Sequence, residues 1–168
     1  MAMQVDPIAC QEFWASYLSQ LPLDHPHHSA LPDAFAFGGA GPLGEELAEL
    51  VLRSAKRATT SLPIEFTSLN EALPMVGAVS IILNGELKPV AVIERTKIES
   101  MPFEIVSAEY AKIEGEGDGS LDYWRQAHIE YFSEVCDRLG GHFNHQTIVL
   151  CQTFRMVWPN PMHLLKET

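Results

Sequence analysis

The sequence predicts an α+β fold whose sheet bends into a small barrel. Several short strand-like runs occupy the middle and the C-terminal third of the chain, and helical patterns sit between them. Neither an internal repeat nor a regular β-α-β alternation links the two kinds of element. At 168 residues and 46% hydrophobic content, one domain with a proper core is expected.

The elements follow in order. Asp6 and Pro7 supply an N-cap and a first helical position for a helix to about Leu18. Its apolar stripe is drawn from Ile8, Phe13 or Trp14, and Tyr17 or Leu18. From Leu21 to Gly44, four prolines interleave with Gly38, Gly39, Gly41 and Gly44, which marks a long wrapping loop pinned by Phe35 and Phe37. A second helix starts near Pro42, with Glu45 and Glu46 in its first turn and Leu43, Leu47, Leu50 and Val51 on one face. Its continuation LAELVLRSAKRATT is expected to carry Lys56 and Arg57 to the helix C-terminus, where the dipole favours basic side chains.

Beyond Thr60 the signal turns to strands. Val79–Leu83 precedes Asn84-Gly85, a strong hairpin signal, and Leu87 to Ile93 returns, with an extension through Arg95 to Ile98. Phe103 to Val106 is a brief apolar run, and Ala108 to Ile113 reads as a helical turn. Ser120 caps a helix bearing Leu121, Trp124, His128, Phe132, Val135 and Leu139, which Gly140-Gly141 ends. Thr147 to Trp158 is β-rich, and Pro159 and Pro161 close the folded part.

Charge restricts the partners. Eleven basic residues face twenty-two acidic ones, a formal net charge of -11, so the chain as a whole repels a polyanion. Tight duplex DNA binding is not expected, and any RNA contact must be local, through Arg53, Lys56 and Arg57 or through Lys88, Arg95 and Lys97. Cys10, Cys136 and Cys151 make neither a metal knuckle nor a disulfide framework and read as buried reduced thiols. There is no long apolar run and no secretory pattern at the N-terminus, so a cytoplasmic location without membrane contact is expected.

Two regions carry candidate chemistry. Lys56 and Thr59, at i and i+3, would present an amine beside a hydroxyl, and a lysine of lowered pKa can act as base toward such a group. The turn Glu114-Gly-Glu116-Gly-Asp118-Gly119 alternates carboxylates with glycines, so backbone can approach a ligand beside an acid or base. A solvated turn explains it equally, and the spacing of a calcium loop is missing. Trp124, His128 and Phe132 share one helical face and read as core first and as a base-stacking surface second, whereas Tyr123 lies off that stripe as a ligand candidate. Glu65 would pair with Lys56, read a base edge, or be an ordinary strand carboxylate. His25, His27 and His28 lack a fourth ligand at suitable spacing, so no metal and no cofactor is expected.

The segment around Lys56 resembles the signature Gly-x-Lys-x-x-(Glu or Thr)-x-Arg of the activating-signal-cointegrator homology (ASCH) family. Lys56 and Thr59 match it, with Ser54 and Ser61 in place of the glycine and arginine. Ile113 to His128, IEGEGDGSLDYWRQAH, resembles the acidic turn and Tyr-Trp-Arg helix of longer bacterial members. The resemblance implies a PUA-like mixed β pseudo-barrel of about five to six strands flanked by helices. It divides the chain into an N-terminal helix and wrapping loop (1–34), the ASCH domain (35–158) and a tail (159–168). It further implies recognition of RNA or a modified nucleoside in a cleft between the Lys56–Thr59 segment, the 114–119 turn and the aromatic helix. Arg57, Glu65, Asp118, Tyr123, Trp124 and His128 would line that cleft.

Hydrolysis would extend this function. Longer relatives are associated with ribonuclease activity, in which Lys56 would stabilise phosphate charge. Shorter ones deacetylate N-acetylated cytidine, in which Thr59 would be the nucleophile, Lys56 its base, and Glu114 or Glu116 the proton donor. A non-catalytic module binding a ligand or a protein is the alternative from another class, favoured by the charge and the two motif departures. Oligomeric state is left open.

Overall fold

The structure, a computed structural model, describes residues 3–159, so Pro161 and almost all of the expected tail lie outside the described residues. Among the described residues, five α-helices and five strands form the α+β architecture. They are α1 (Pro7–Leu18), β1 (Ala34–Phe35), α2 (Pro42–Leu52), β2 (Ala58–Ser61), α3 (Pro63–Thr67), β3 (Val79–Leu83), β4 (Pro89–Pro102), α4 (Ala108–Glu114), α5 (Leu121–Leu139) and β5 (Ile148–Trp158). The sheet is mixed and open, with order β1-β3-β4-β5-β2: β1 runs parallel to β3, β3 antiparallel to β4, and β2 antiparallel to β5. The chain divides into two compact units. One takes residues up to Ser54, Ala78–Glu94 and the chain from Arg155; the other takes Ala55–Gly77 and Arg95–Phe154.

In the first unit, Asp6 caps α1 by accepting from the amides of Ile8 (2.9 Å) and Ala9 (3.3 Å). The buried stripe of α1 is Cys10, Trp14 and Tyr17, at i, i+4 and i+7, and Ile8 is exposed, so the stripe starts two residues later than expected. These side chains pack with Ile81, Leu83 and Val92 of the sheet. The expected wrapping loop contains β1, which pairs Ala34 with Ile81 and Phe35 with Ile82. The hairpin sits where Asn84-Gly85 predicts, but its left-handed residue is Leu87 (φ 60). The reason is the Asn84 side chain, which accepts from the amides of Glu86 (3.1 Å) and Lys88 (3.0 Å) and widens the tip. Gly85 serves close packing instead: a Cβ there would lie 2.2 Å from the Gly41 carbonyl oxygen.

The second unit is built on a core of Leu62, Phe103, Val106, Trp124, Phe132, Val135, Val149 and Cys151. Phe103 stacks on Trp124 with centroids 5.2 Å apart, which fixes the start of α5 against the end of β4. Ser107 and Ser120 cap α4 and α5, each accepting an amide at 3.1 Å, and Gly115 and Gly140 close both helices in left-handed conformations. Val149 through Gln152 are buried on both faces of β5, as befits a strand with neighbours on either side. Among the described residues no helix is long and apolar enough to cross a membrane.

Candidate functional site: a buried ion cluster beneath the acidic turn

α2 stops at Leu52, and Ser54 takes a left-handed φ of 57° that ends the helical path. Lys56 therefore lies in the connection to β2, not in a last helical turn as expected. Within the second unit two backbone bonds pull this connection inward: the Arg57 amide donates to Ile113, and the Arg57 carbonyl accepts from Phe154, each at 2.9 Å. Lys56 is thus buried, at 1% exposure. The acidic turn meets it from α4. Gly115 leaves α4 at φ 75°, and a Cβ on it would lie 2.3 Å from the Ala55 carbonyl oxygen, so only glycine allows this approach.

Lys56 Nζ donates to Glu116 Oε1 at 2.6 Å and to the Ala58 carbonyl at 2.9 Å, and lies 3.7 Å from Glu114 Oε1. Glu114 is itself 2% exposed. Its Oε2 accepts from Thr60 Oγ1 (2.8 Å) and Trp124 Nε1 (2.6 Å), and its Oε1 lies 3.3 Å from His128 Nε2. His128 Nδ1 sits 2.8 Å from the Trp124 carbonyl, while the His128 ring stacks on the Trp124 indole at 4.1 Å. A carbonyl and a carboxylate both only accept, so the two ring nitrogens are placed as donors, the arrangement of an imidazolium. Lys56 and His128 then balance Glu114 and Glu116, and the charges are paired as buried ions must be.

The electrostatics follow from these contacts. Burial alone would raise the Glu114 carboxyl, but the Lys56 charge and the His128 bond outweigh it and hold the group down at about 2. For His128, burial opposes the charged form, and the bond and charge of Glu114 raise the imidazole above its ordinary value. Burial, then the Glu114 charge, raises the Tyr110 hydroxyl, which donates to the Thr59 carbonyl at 2.7 Å and accepts from the Gln152 amide at 3.1 Å. Burial likewise pushes the nearby Cys151 thiol up to about 12, so it is no nucleophile at neutral pH.

Of the residues expected to converge, Lys56, Glu114, Glu116, Trp124 and His128 do so. Thr59 does not reach the carboxylates. Strand alternation turns Ala58 and Thr60 inward, and Thr59, opposite Gln152 of β5, faces the other way. The hydroxyl in the cluster is Thr60, joined by Tyr110, whose hydroxyl is 3.2 Å from Thr60 Oγ1. Both were missed. Reading β2 from Ala58 would have found Thr60, and the i, i+4 spacing of Tyr110 and Glu114 puts both on one face of α4.

Glu65 pairs with neither Lys56 nor any cluster member. Its side chain caps α3 at the Leu62 amide (2.7 Å) and accepts from Tyr131 (2.6 Å), so it belongs to a helix where a strand was expected. Asp118 accepts from the Ser120 amide at 2.8 Å and shapes the turn. Arg57 is exposed beside the cluster, Glu116 is partly exposed, and Tyr123 is 46% exposed. The expected cleft does not open onto Lys56, which is sealed from solvent. A cavity of about 230 Å³ in the same unit lies instead among Leu62, Ile64, Cys136, His142 and Ile148, and none of the expected site residues lines it.

The family and structural likenesses bear on the fold. The ASCH domain matches residues 33–158. The fold is similar to that of an ASCH domain from Lactobacillus crispatus, with a TM-score of 0.83 and 30% identity, over 94% of this chain and 99% of that one. It is also similar to a protein from Enterococcus faecalis, with a TM-score of 0.79 and 33% identity, over 89% of this chain and 88% of that one. No curated protein matches the chain. The sheet, the paired motifs and these likenesses lead to one conclusion: the chain belongs to the ASCH domain family.

Proposed function

We propose that the protein binds RNA or a modified nucleoside, one nucleoside at a time, at the acidic turn above the ion cluster. The observation that carries this reading is the Glu116 carboxylate, held by the buried Lys56 ammonium at 2.6 Å while its side chain remains 23% exposed. A charged group fixed from below and open from above is suited to recognition, because little reorganisation is needed when a ligand arrives. Membership of a family associated with RNA supports the same reading, and the net charge of -11 favours a single nucleoside over a long phosphate backbone. Arg57, exposed beside the turn, is the group for a flanking phosphate.

Binding is better supported than hydrolysis. Glu114 is buried and held charged, so it cannot donate a proton near neutral pH, and Thr59 lies on the wrong face of β2 for Lys56 to activate it. Equilibrium dialysis against single-stranded RNA and N-acetylated cytidine, followed by chromatography of both, tests the reading. Retention without turnover is expected, with Glu116→Ala weakening it by about tenfold or more. Failure to retain either ligand would overturn it, and turnover of either would assign catalysis in place of simple recognition.

A further inference from the structure

The buried ammonium of Lys56 lies between two carboxylates and does not serve them evenly. It sits 2.6 Å from Glu116, whose side chain is 23% exposed, and 3.7 Å from the buried Glu114. Attraction between charges strengthens as water is excluded, so burial alone would draw the ammonium to Glu114. A second cation turns it away. Glu114 Oε1, the oxygen that faces Lys56, also lies 3.3 Å from His128 Nε2, while Oε2 is filled by Thr60 and Trp124. Through that one shared oxygen, the charge on His128 bears on which carboxylate Lys56 holds.

From this arrangement we infer a pH-dependent relay: when His128 gives up its proton, the Lys56 ammonium passes from Glu116 to Glu114 and frees the Glu116 carboxylate at the surface. The proton goes to solvent, which reaches the His128 side chain at 10% exposure. The neutral ring keeps its hydrogen on Nε2, because a carboxylate is a stronger acceptor than the Trp124 carbonyl facing Nδ1. Glu114 then retains a hydrogen bond from the ring but no balancing charge there, and Lys56 is the remaining cation of the cluster. The ammonium needs to move only about 1 Å to bond Glu114. Other groups facing the pair do not intercept it: burial holds the protons on Tyr110 of α4 and Cys151 of β5. The bond and charge of Glu114, with the charge of Glu116, favour the imidazolium, so the relay operates above the ordinary histidine range. One consequence rests on the nucleoside-binding reading above: a ligand that uses Glu116 loses a fixed partner on the alkaline side. The relay itself needs no ligand.

Crystal structures of the ligand-free full chain at about pH 5.5 and about pH 9.5 test this, with the His128 ring titration followed by NMR. At the acid end Lys56 Nζ should bond Glu116. At the alkaline end it should lie within about 3.2 Å of Glu114 and beyond about 4 Å from Glu116. His128→Gln carries no charge at either pH, so it should show the alkaline arrangement at both. An unchanged Lys56–Glu116 contact beside a neutral ring overturns the relay, as does a ring still charged at about pH 9.5 or a His128→Gln protein that keeps the contact. Should that variant fail to fold, the two wild-type structures decide alone. With no ligand present, each of these results leaves the nucleoside-binding reading standing.

Discussion

Replacing Lys56 by Met keeps the length of the side chain and removes its charge. In the native protein Glu114 is 2% exposed and is balanced by Lys56 and His128, with Thr60 and Trp124 filling its other oxygen. Without the ammonium, Glu114 retains only His128 as a cation, Glu116 loses its anchor, and the Ala58 carbonyl loses a donor. Breaking one side of a buried pair costs about 3–5 kcal/mol, far more than the ~0.3–1 kcal/mol of an exposed lysine at a helix end. At about 2–4 °C per kcal/mol for a chain of this size, Tm should fall by roughly 6–20 °C. Urea denaturation of Lys56→Met, Glu114→Gln and the double variant measures the coupling. The double variant should be less destabilised than the two single losses added together, because it leaves no unpaired charge. A Lys56→Met variant within about 1 kcal/mol of wild type would refute the buried-cluster account.

Three further outcomes are expected. Glu114 is lowered in the folded state from 4.5 to about 2, so its contribution is present above pH 4.5 and is lost as pH falls toward 2. His128 is raised above 6.5, so its contribution is complete below pH 6.5 and fades as pH rises through the folded value. Urea midpoints across pH 2–9 should thus show a maximum near pH 5–6, and His128→Gln should flatten the alkaline side and, by taking a cation from Glu114, move the acid side to higher pH. Thr60→Val should cost about 1–3 kcal/mol by removing the hydroxyl bonded to Glu114, whereas Thr59→Val should stay within about 0.5 kcal/mol, both read by thermal melting. Gly115→Ala should destabilise by more than about 2 kcal/mol, from its left-handed φ of 75° and the contact with the Ala55 carbonyl, and hydrogen exchange should quicken first in residues 113–119.

What could be read in advance was what local chemistry decides. Asp6, Ser120 and Gly140 act on amides or conformations within a few residues, and the helix ends they predict are present. The burial of Lys56 was not legible locally because it depends on partners in α4 and the following turn, whereas its local signal, a basic residue after an amphipathic helix, is that of a solvated end. Thr59 and Thr60 are chemically identical, and only the point at which β2 begins decides which hydroxyl turns inward. β1 has two residues and exists by pairing with β3 some 47 positions away, so nothing within its own sequence announces it.

The ion cluster has a consequence for biosynthesis. Lys56 and Glu116 are separated by 60 positions, and His128 emerges later still. At about 5–20 residues per second, Lys56 waits roughly 3–12 s after leaving the ribosome before Glu114 and Glu116 have both followed. An unpaired ammonium stays in water, so β2 cannot take its buried place until α4 and the acidic turn exist, nor Glu114 gain its second cation until α5 does. Nascent chains stalled before α5 should therefore leave Lys56 open to amine-reactive reagents, and full-length chains should protect it.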